Sequence, residues 1–174
     1  MPIGNINVRS RPGNRAEGLL SVEGTVFRCA LGKAGISAFK REGDGATPLG
    51  RLRLLGGYVR SEHHPSCRSG LVLVPIRADM GWCDAPTDAS YNRPVRLPFR
   101  ASHEKMLRGD RLYDFCIVLD WNIRPRRRDG GSAIFMHLAR PGFRPTEGCI
   151  AVERSVMLRL LPYLSRRTVL TVLA

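Results

Sequence analysis

The sequence predicts a single, mainly β domain with one or two helices. Three observations carry this. The 174-residue length suits one domain with a real core. Short apolar or alternating runs recur, each bounded by turn residues. Glycine (18) and proline (12) are abundant enough to punctuate many strands.

Taken in order, Gly24–Leu31 alternates and ends at Gly32, and Gly35–Phe39 resumes after a short turn, so the two are expected to form a hairpin. Lys40–Gly50 (KREGDGATPLG) is too rich in turn residues to be regular and reads as a loop, within which Thr47 and Pro48 are expected to hold shape. Strands are expected at Arg51–Leu55, Gly70–Ile76, Phe115–Trp121, Ser132–His137 and Thr168–Leu173. Ser102 can cap a short helix to Leu107, with Glu104 in its first turn. A second helix is expected over Glu153–Leu164. There Val156, Met157, Leu160, Leu161 and Leu164 share one face and Pro162 weakens the last turn. No repeat, linker or low-complexity segment divides residues 1–174.

The composition narrows the function. Five cysteines with no CxxC read as reduced thiols, with Cys29 and Cys116 in apolar alternation as core residues. Cys67, Cys83, His63 and His64 match no zinc spacing, so no metal is expected. The formal charge of +13 admits nucleic acid, anionic surfaces or acidic small substrates. No aromatic-plus-basic strand and no recognition helix supports the first of these. The dense run Arg124–Arg128 precedes Asp129-Gly130-Gly131 and reads as a solvated hairpin tip. No run has the length of a membrane span. The polar N-terminus lacks a secretory signal, so a cytoplasmic location is expected, or the cell envelope if a leader was removed.

One pair of motifs carries chemistry. The apolar run Ile134-Phe135-Met136 delivers His137, and Thr146-Glu147-Gly148 delivers Cys149. A thiol needs a base to become a nucleophile at neutral pH. The glycine lets the chain turn and aim N–H groups, so Gly148 and Cys149 are candidate oxyanion donors. Read with the helix expected after it, the turn places the thiol near positive dipole ends, which would lower its pKa.

These motifs occur in order with Lys40–Gly50, Trp82-Cys83-Asp84 and Tyr91-Asn92. Over about residues 20–174 the chain resembles the L,D-transpeptidase catalytic domain family (YkuD-type), in its short single-domain bacterial branch. The resemblance implies a β-sandwich-like catalytic domain that needs no cofactor. It also implies a cysteine acyltransferase acting on peptidoglycan stem peptides or muropeptides through a thioester. Cys149 would be the nucleophile and His137 the base, with the Leu138 carbonyl orienting the ring. The resemblance also implies that Tyr91 and Asn92 line the pocket. Independently of it, Arg140 and Arg144, in the loop between base and nucleophile, are candidates to bind a stem-peptide carboxylate bidentately, and Thr146 is a further substrate-binding candidate. A transpeptidase passes the acyl group to an amine, whereas an L,D-carboxypeptidase passes it to water and releases terminal D-alanine. In two respects the chain departs from the family pattern. Glu147 stands where a histidine is usual, and Ala151-Val152 follow where Arg or Asn is common. Glu147 would raise the thiol pKa unless it faces solvent or pairs with Arg140 or Arg144.

Overall fold

A computed structural model describes all 174 residues. The chain opens on a hairpin, β1 (Asn5–Arg11) and β2 (Asn14–Val22), and continues into β3 (Thr25–Ala30). Two short strands follow, β4 (Ile36–Ser37) and β5 (Thr47–Pro48), then the long β6 (Gly50–Val59) and β7 (Leu73–Pro75). Next come β8 (Met80–Cys83), β9 (Arg93–Arg96), β10 (His103–Lys105), β11 (Phe115–Leu119) and β12 (Phe135–Leu138). The chain ends with β13 (Ile150–Val152), helix α1 (Arg154–Leu160) and β14 (Val169–Val172).

Nine strands form one sheet in the order β11-β12-β13-β3-β2-β1-β14-β6-β7. An additional β11–β6 pairing joins its ends, so eight strands close on themselves and β7 hangs from β6. Closure removes most free edges. Inside lies a core of 26 buried residues drawn from all eight strands of the closed sheet and their connections, plugged by Val156, Met157 and Leu160 of α1.

The strands β11 and β12 are unusual in being covered on both faces. Phe115, Ile117, Met136 and Leu138 point into the main core. Cys116, Val118 and Phe135 point outward into a second cluster with Trp82, Met106, Tyr113 and Cys149. The separate sheet β10-β8-β9 forms part of this cover. A strand buried on two faces is expected to be apolar, which is why residues 115–119 and 134–136 read as continuous hydrophobic runs, with His137 the polar exception.

Several local expectations are corrected. The strand β3 pairs with β2, not with the segment after it, and β4 pairs in parallel with β5. The expected Gly24–Phe39 hairpin is thus replaced by turns at Pro12-Gly13 and Glu23-Gly24. Ser102–Leu107 is not helical. His103, Glu104 and Lys105 pair with Cys83, Trp82 and Gly81, and the sheet outweighs a weak local capping signal. The second helix stops at Leu160 and tightens into a 3-10 turn over Leu161–Tyr163, because Pro162 has no N–H to continue the α pattern.

Candidate active site

The turn before Cys149 is built by two segments. Thr146 bridges to Gly32, its N–H donating to the Leu31 carbonyl at 2.9 Å and its carbonyl accepting Lys33 N–H at 2.9 Å. Thr146 Oγ1 donates to the Cys149 carbonyl at 2.6 Å and accepts Gly148 N–H at 3.1 Å. From the other side comes the 40–50 loop. Asp44 organises it by accepting Arg41 N–H, Ala46 N–H and the buried Lys40 ammonium. Thr47 Oγ1 accepts Gly32 N–H at 2.9 Å. The loop then presses the Ala46 carbonyl against Gly148, where a Cβ would sit 2.7 Å from that oxygen at φ 138. Only glycine fits there.

The strand register brings the histidine to this turn. β12 and β13 run parallel with Met136 opposite Ile150 and His137 opposite Ala151, so Cys149, one residue before β13, lies beside the same strand. Cys149 Sγ donates to the Ala133 carbonyl at 3.1 Å and accepts Phe135 N–H at 3.4 Å. His137 Nδ1–H donates to its neighbour's carbonyl, Leu138 O, at 2.9 Å. That acceptor fixes the proton on Nδ1 and leaves Nε2 as the basic nitrogen. The Tyr113 ring packs edge-on to the imidazole with centroids 5.3 Å apart. Cys149 and His137 line one cavity of about 110 Å³. No hydrogen bond joins them in this structure, as the thiol is turned to Ala133.

Both groups are neutral at rest. Burial pushes the Cys149 thiol up to about 12 and pulls His137 down to about 4. This corrects the expectation of a dipole-acidified thiol. Cys149 leads into a β-strand, and the helix starts only at Arg154. A second correction concerns the oxyanion donors. Gly148 N–H is committed to Thr146 Oγ1, whereas Cys149 N–H has no acceptor within the chain. Chemically, the arrangement holds a thiol, a tautomerically fixed neutral imidazole and one unoccupied N–H donor around a cavity.

A family model for the L,D-transpeptidase catalytic domain (YkuD) matches residues 19–172. The chain belongs to that family. No curated protein and no solved structure matches it. The first strand and part of the second lie outside the matched residues. They are nonetheless integral to the closed sheet, since β1 sits between β2 and β14.

Within this L,D-transpeptidase domain, the other expected site residues divide. Arg140, Arg144 and Thr146 line the cavity with Cys149. Arg140 approaches Asp110 at 3.7 Å, and Arg144 has no carboxylate partner. Glu147 faces solvent and pairs with Lys33 at 2.8 Å, not with Arg140 or Arg144. Tyr91 and Asn92 do not reach the cavity, contrary to the expectation that they line it. Tyr91 donates its hydroxyl to Glu42, and all four hydrogen bonds of the buried Asn92 amide are made to protein groups.

Sequence reasoning missed three polar cavity side chains, Glu104, Arg108 and Tyr113, besides the apolar Leu112 and Pro145. Tyr113 donates its hydroxyl to Glu104, and burial pushes the Glu104 carboxyl up. Arg108 forks onto Asp110 at 2.9 and 2.6 Å and lies 5.0 Å from the Tyr113 ring centre. Once Ser102–Leu107 is read as extended, period-two alternation puts Glu104 and Met106 on one face.

The Gly148 contact yields a direct prediction. Gly148→Ala must move the turn away from Ala46, displacing Cys149. Acylation of the variant will slow by about 100-fold or more, the effect of misplacing a reacting atom by roughly 1 Å. Time-resolved intact mass measures this. A variant that acylates at the wild-type rate would show that the turn tolerates the shift.

Proposed function

We propose that the protein is a cysteine-dependent acyltransferase acting at the L,D bond of peptidoglycan stem peptides. The observation that carries this reading is the shared cavity of Cys149 and His137, with the imidazole tautomer fixed by Leu138. In the proposed reaction the Cys149 proton passes to His137 Nε2 as sulfur attacks the carbonyl carbon of the L-centre. The oxyanion of the tetrahedral intermediate takes the Cys149 N–H. The C–N bond then breaks, His137 returns the proton to the departing D-amino acid, and a thioester remains. Because the thiol is protonated at rest, proton transfer and attack are coupled, and no stored thiolate–imidazolium pair is needed. An incoming amine or water reverses the sequence and restores the thiol. No metal or cofactor takes part in these steps.

A second reading, an L,D-carboxypeptidase of recycled muropeptides in the cytoplasm, is favoured by one feature. Arg140 and Arg144 stand at the cavity and lead into an adjoining space of about 500 Å³ that also holds Arg111 and Arg154. Asp110 and Asp114 there take up Arg140 and Arg111, and the unpaired guanidinium groups of Arg144 and Arg154 suit the free carboxylate of a terminal D-residue. No helix of the chain is long and apolar enough to cross a membrane.

The test is to give purified protein a disaccharide tetrapeptide, with and without a D-amino acid acceptor, and to follow intact mass and products. A thioester-sized adduct is expected. Tripeptide alone identifies the carboxypeptidase, and exchanged tetrapeptide identifies the transferase. Absence of both adduct and product would end the proposal.

A further inference from the structure

The Arg124–Arg128 run is not simply a solvated tip. Trp121, Asn122 and Gly130 tie the segment together. Asn122 Oδ1 accepts Arg127 N–H at 2.8 Å, and its Nδ2 donates to the Arg127 and Gly131 carbonyls at 2.9 Å each. Trp121 Nε1 donates to Gly130 O at 2.9 Å. Arg126 is turned inward, donating to the Tyr91 and Ala89 carbonyls. Arg124, Arg127 and Arg128 face the other way. With Arg41 from the facing loop they surround a groove of about 820 Å³. None of the four makes an ion pair, and the one carboxylate lining the groove is that of Asp129. Phe39, 88% exposed, stands at the same groove.

Four unpaired guanidinium groups on a braced scaffold give the groove a positive potential that attracts an anion. The groove's two walls are also the two segments that build the catalytic turn. Arg41 lies in the loop that presses on Gly148, and Arg128 is five residues before Ala133, whose carbonyl takes the Cys149 thiol. An extended five-residue segment spans at most about 17 Å. A ligand in the groove is therefore a near neighbour of one in the cavity.

Resting on the acyl-transfer reading above, we infer that this groove binds the peptidoglycan strand itself, holding carboxylates of a stem peptide adjacent to the one at Cys149. Guanidinium groups pair bidentately with carboxylates. An exposed aromatic face beside them suits a sugar ring or lactyl group. Concavity favours a strand over a flat anionic membrane. The single freely exposed aromatic is a poor platform for successive nucleobases. The consequence is a preference for polymeric over monomeric substrate.

The test uses the full chain with Arg124, Arg127 and Arg128 all changed to glutamine. Pelleting with purified sacculi is measured in a Cys149→Ala background, and turnover of sacculi is compared with turnover of disaccharide tetrapeptide in the Cys149 enzyme. Pelleting is expected to weaken about tenfold in the triple variant, the scale of three exposed charge contacts. It should also weaken as salt rises from about 50 to about 500 mM. The polymer-to-monomer turnover ratio should fall by a similar factor. Sacculus binding and turnover ratio both equal to the wild type would overturn the inference. So would tighter, arginine-dependent binding to anionic vesicles or to a single-stranded oligonucleotide than to sacculi. Arginine-dependent pelleting by a protein that forms no adduct with tetrapeptide would leave the groove standing and remove the acyl-transfer reading.

Discussion

Cys149→Ala will form no acyl adduct, and His137→Ala will acylate about 10²- to 10⁴-fold more slowly than the wild type. The second effect is large because burial pushes the thiol up to about 12, so almost no thiolate exists at neutral pH without a base to take its proton. The pH dependence follows from the histidine. Burial lowers His137 from 6.5 to about 4, so Nε2 stays basic, and acylation stays competent, until pH approaches about 4. The same burial makes the fold acid-sensitive. In the unfolded chain the imidazole takes a proton near 6.5, whereas the folded protein resists until about 4. Its contribution to stability is therefore complete above about pH 6.5 and is lost progressively as pH falls toward 4. Integrated over that window, the loss is on the order of 3 kcal/mol. Urea midpoints measured from about pH 7 to about pH 4 will show it in the wild type. A variant with His137→Gln lacks that titration and will show a shallower fall. Equal slopes in the two proteins would mean that the imidazole is not held neutral by burial.

How much of this was legible in the sequence depends on how local each signal was. The apolar runs at 115–119 and 132–137 announced buried strands, and the Thr-x-Gly-Cys turn announced itself. The first hairpin did not. In Asn5–Arg11 only Ile6 and Val8 are buried, and the polar residues between them hide a central strand of the closed sheet. The segment Ser102–Leu107 misled because its capping signal is local, whereas its true partner, β8, lies twenty residues away. Missing that strand meant missing Glu104 as a cavity residue. The family resemblance drew attention to Tyr91-Asn92 and the GDGATPLG loop, but the structure places Tyr91 and Asn92 outside the cavity that Cys149 lines. They support the loops that support the thiol.

That support is where the largest stability effect is expected. Asn92 is 2% exposed, and its amide is fully used. Oδ1 accepts Trp82 Nε1–H and Ala133 N–H, each at 3.0 Å. Nδ2 donates to the carbonyls of Trp121 at 3.1 Å and Asn122 at 3.0 Å. The residue sits at φ 54, a conformation asparagine tolerates better than alanine. Asn92→Ala therefore strands two buried donors and two part-buried acceptors and adds backbone strain. At about 1–3 kcal/mol per unsatisfied group, with partial relaxation, a loss of about 4 kcal/mol is expected. For a chain of this size that lowers Tm by roughly 10 °C. The damage will also reach the chemistry. Ala133, itself at φ 51, is held by the Asn92 bond on its N–H and receives the Cys149 thiol on its carbonyl. Freed from Asn92, it no longer fixes where the sulfur waits, so acylation measured below the unfolding transition should fall by about tenfold or more. Asn92→Asp keeps an acceptor for Trp82 and Ala133 but turns an oxygen toward two carbonyls. It should keep part of the acylation rate while remaining unstable. A loss of stability under about 1 kcal/mol for Asn92→Ala would mean that water replaces the amide and the bracket is not needed. A full loss of stability with acylation unchanged in the folded fraction would instead confine Asn92 to holding the loops, and would release Ala133 from any part in placing the thiol.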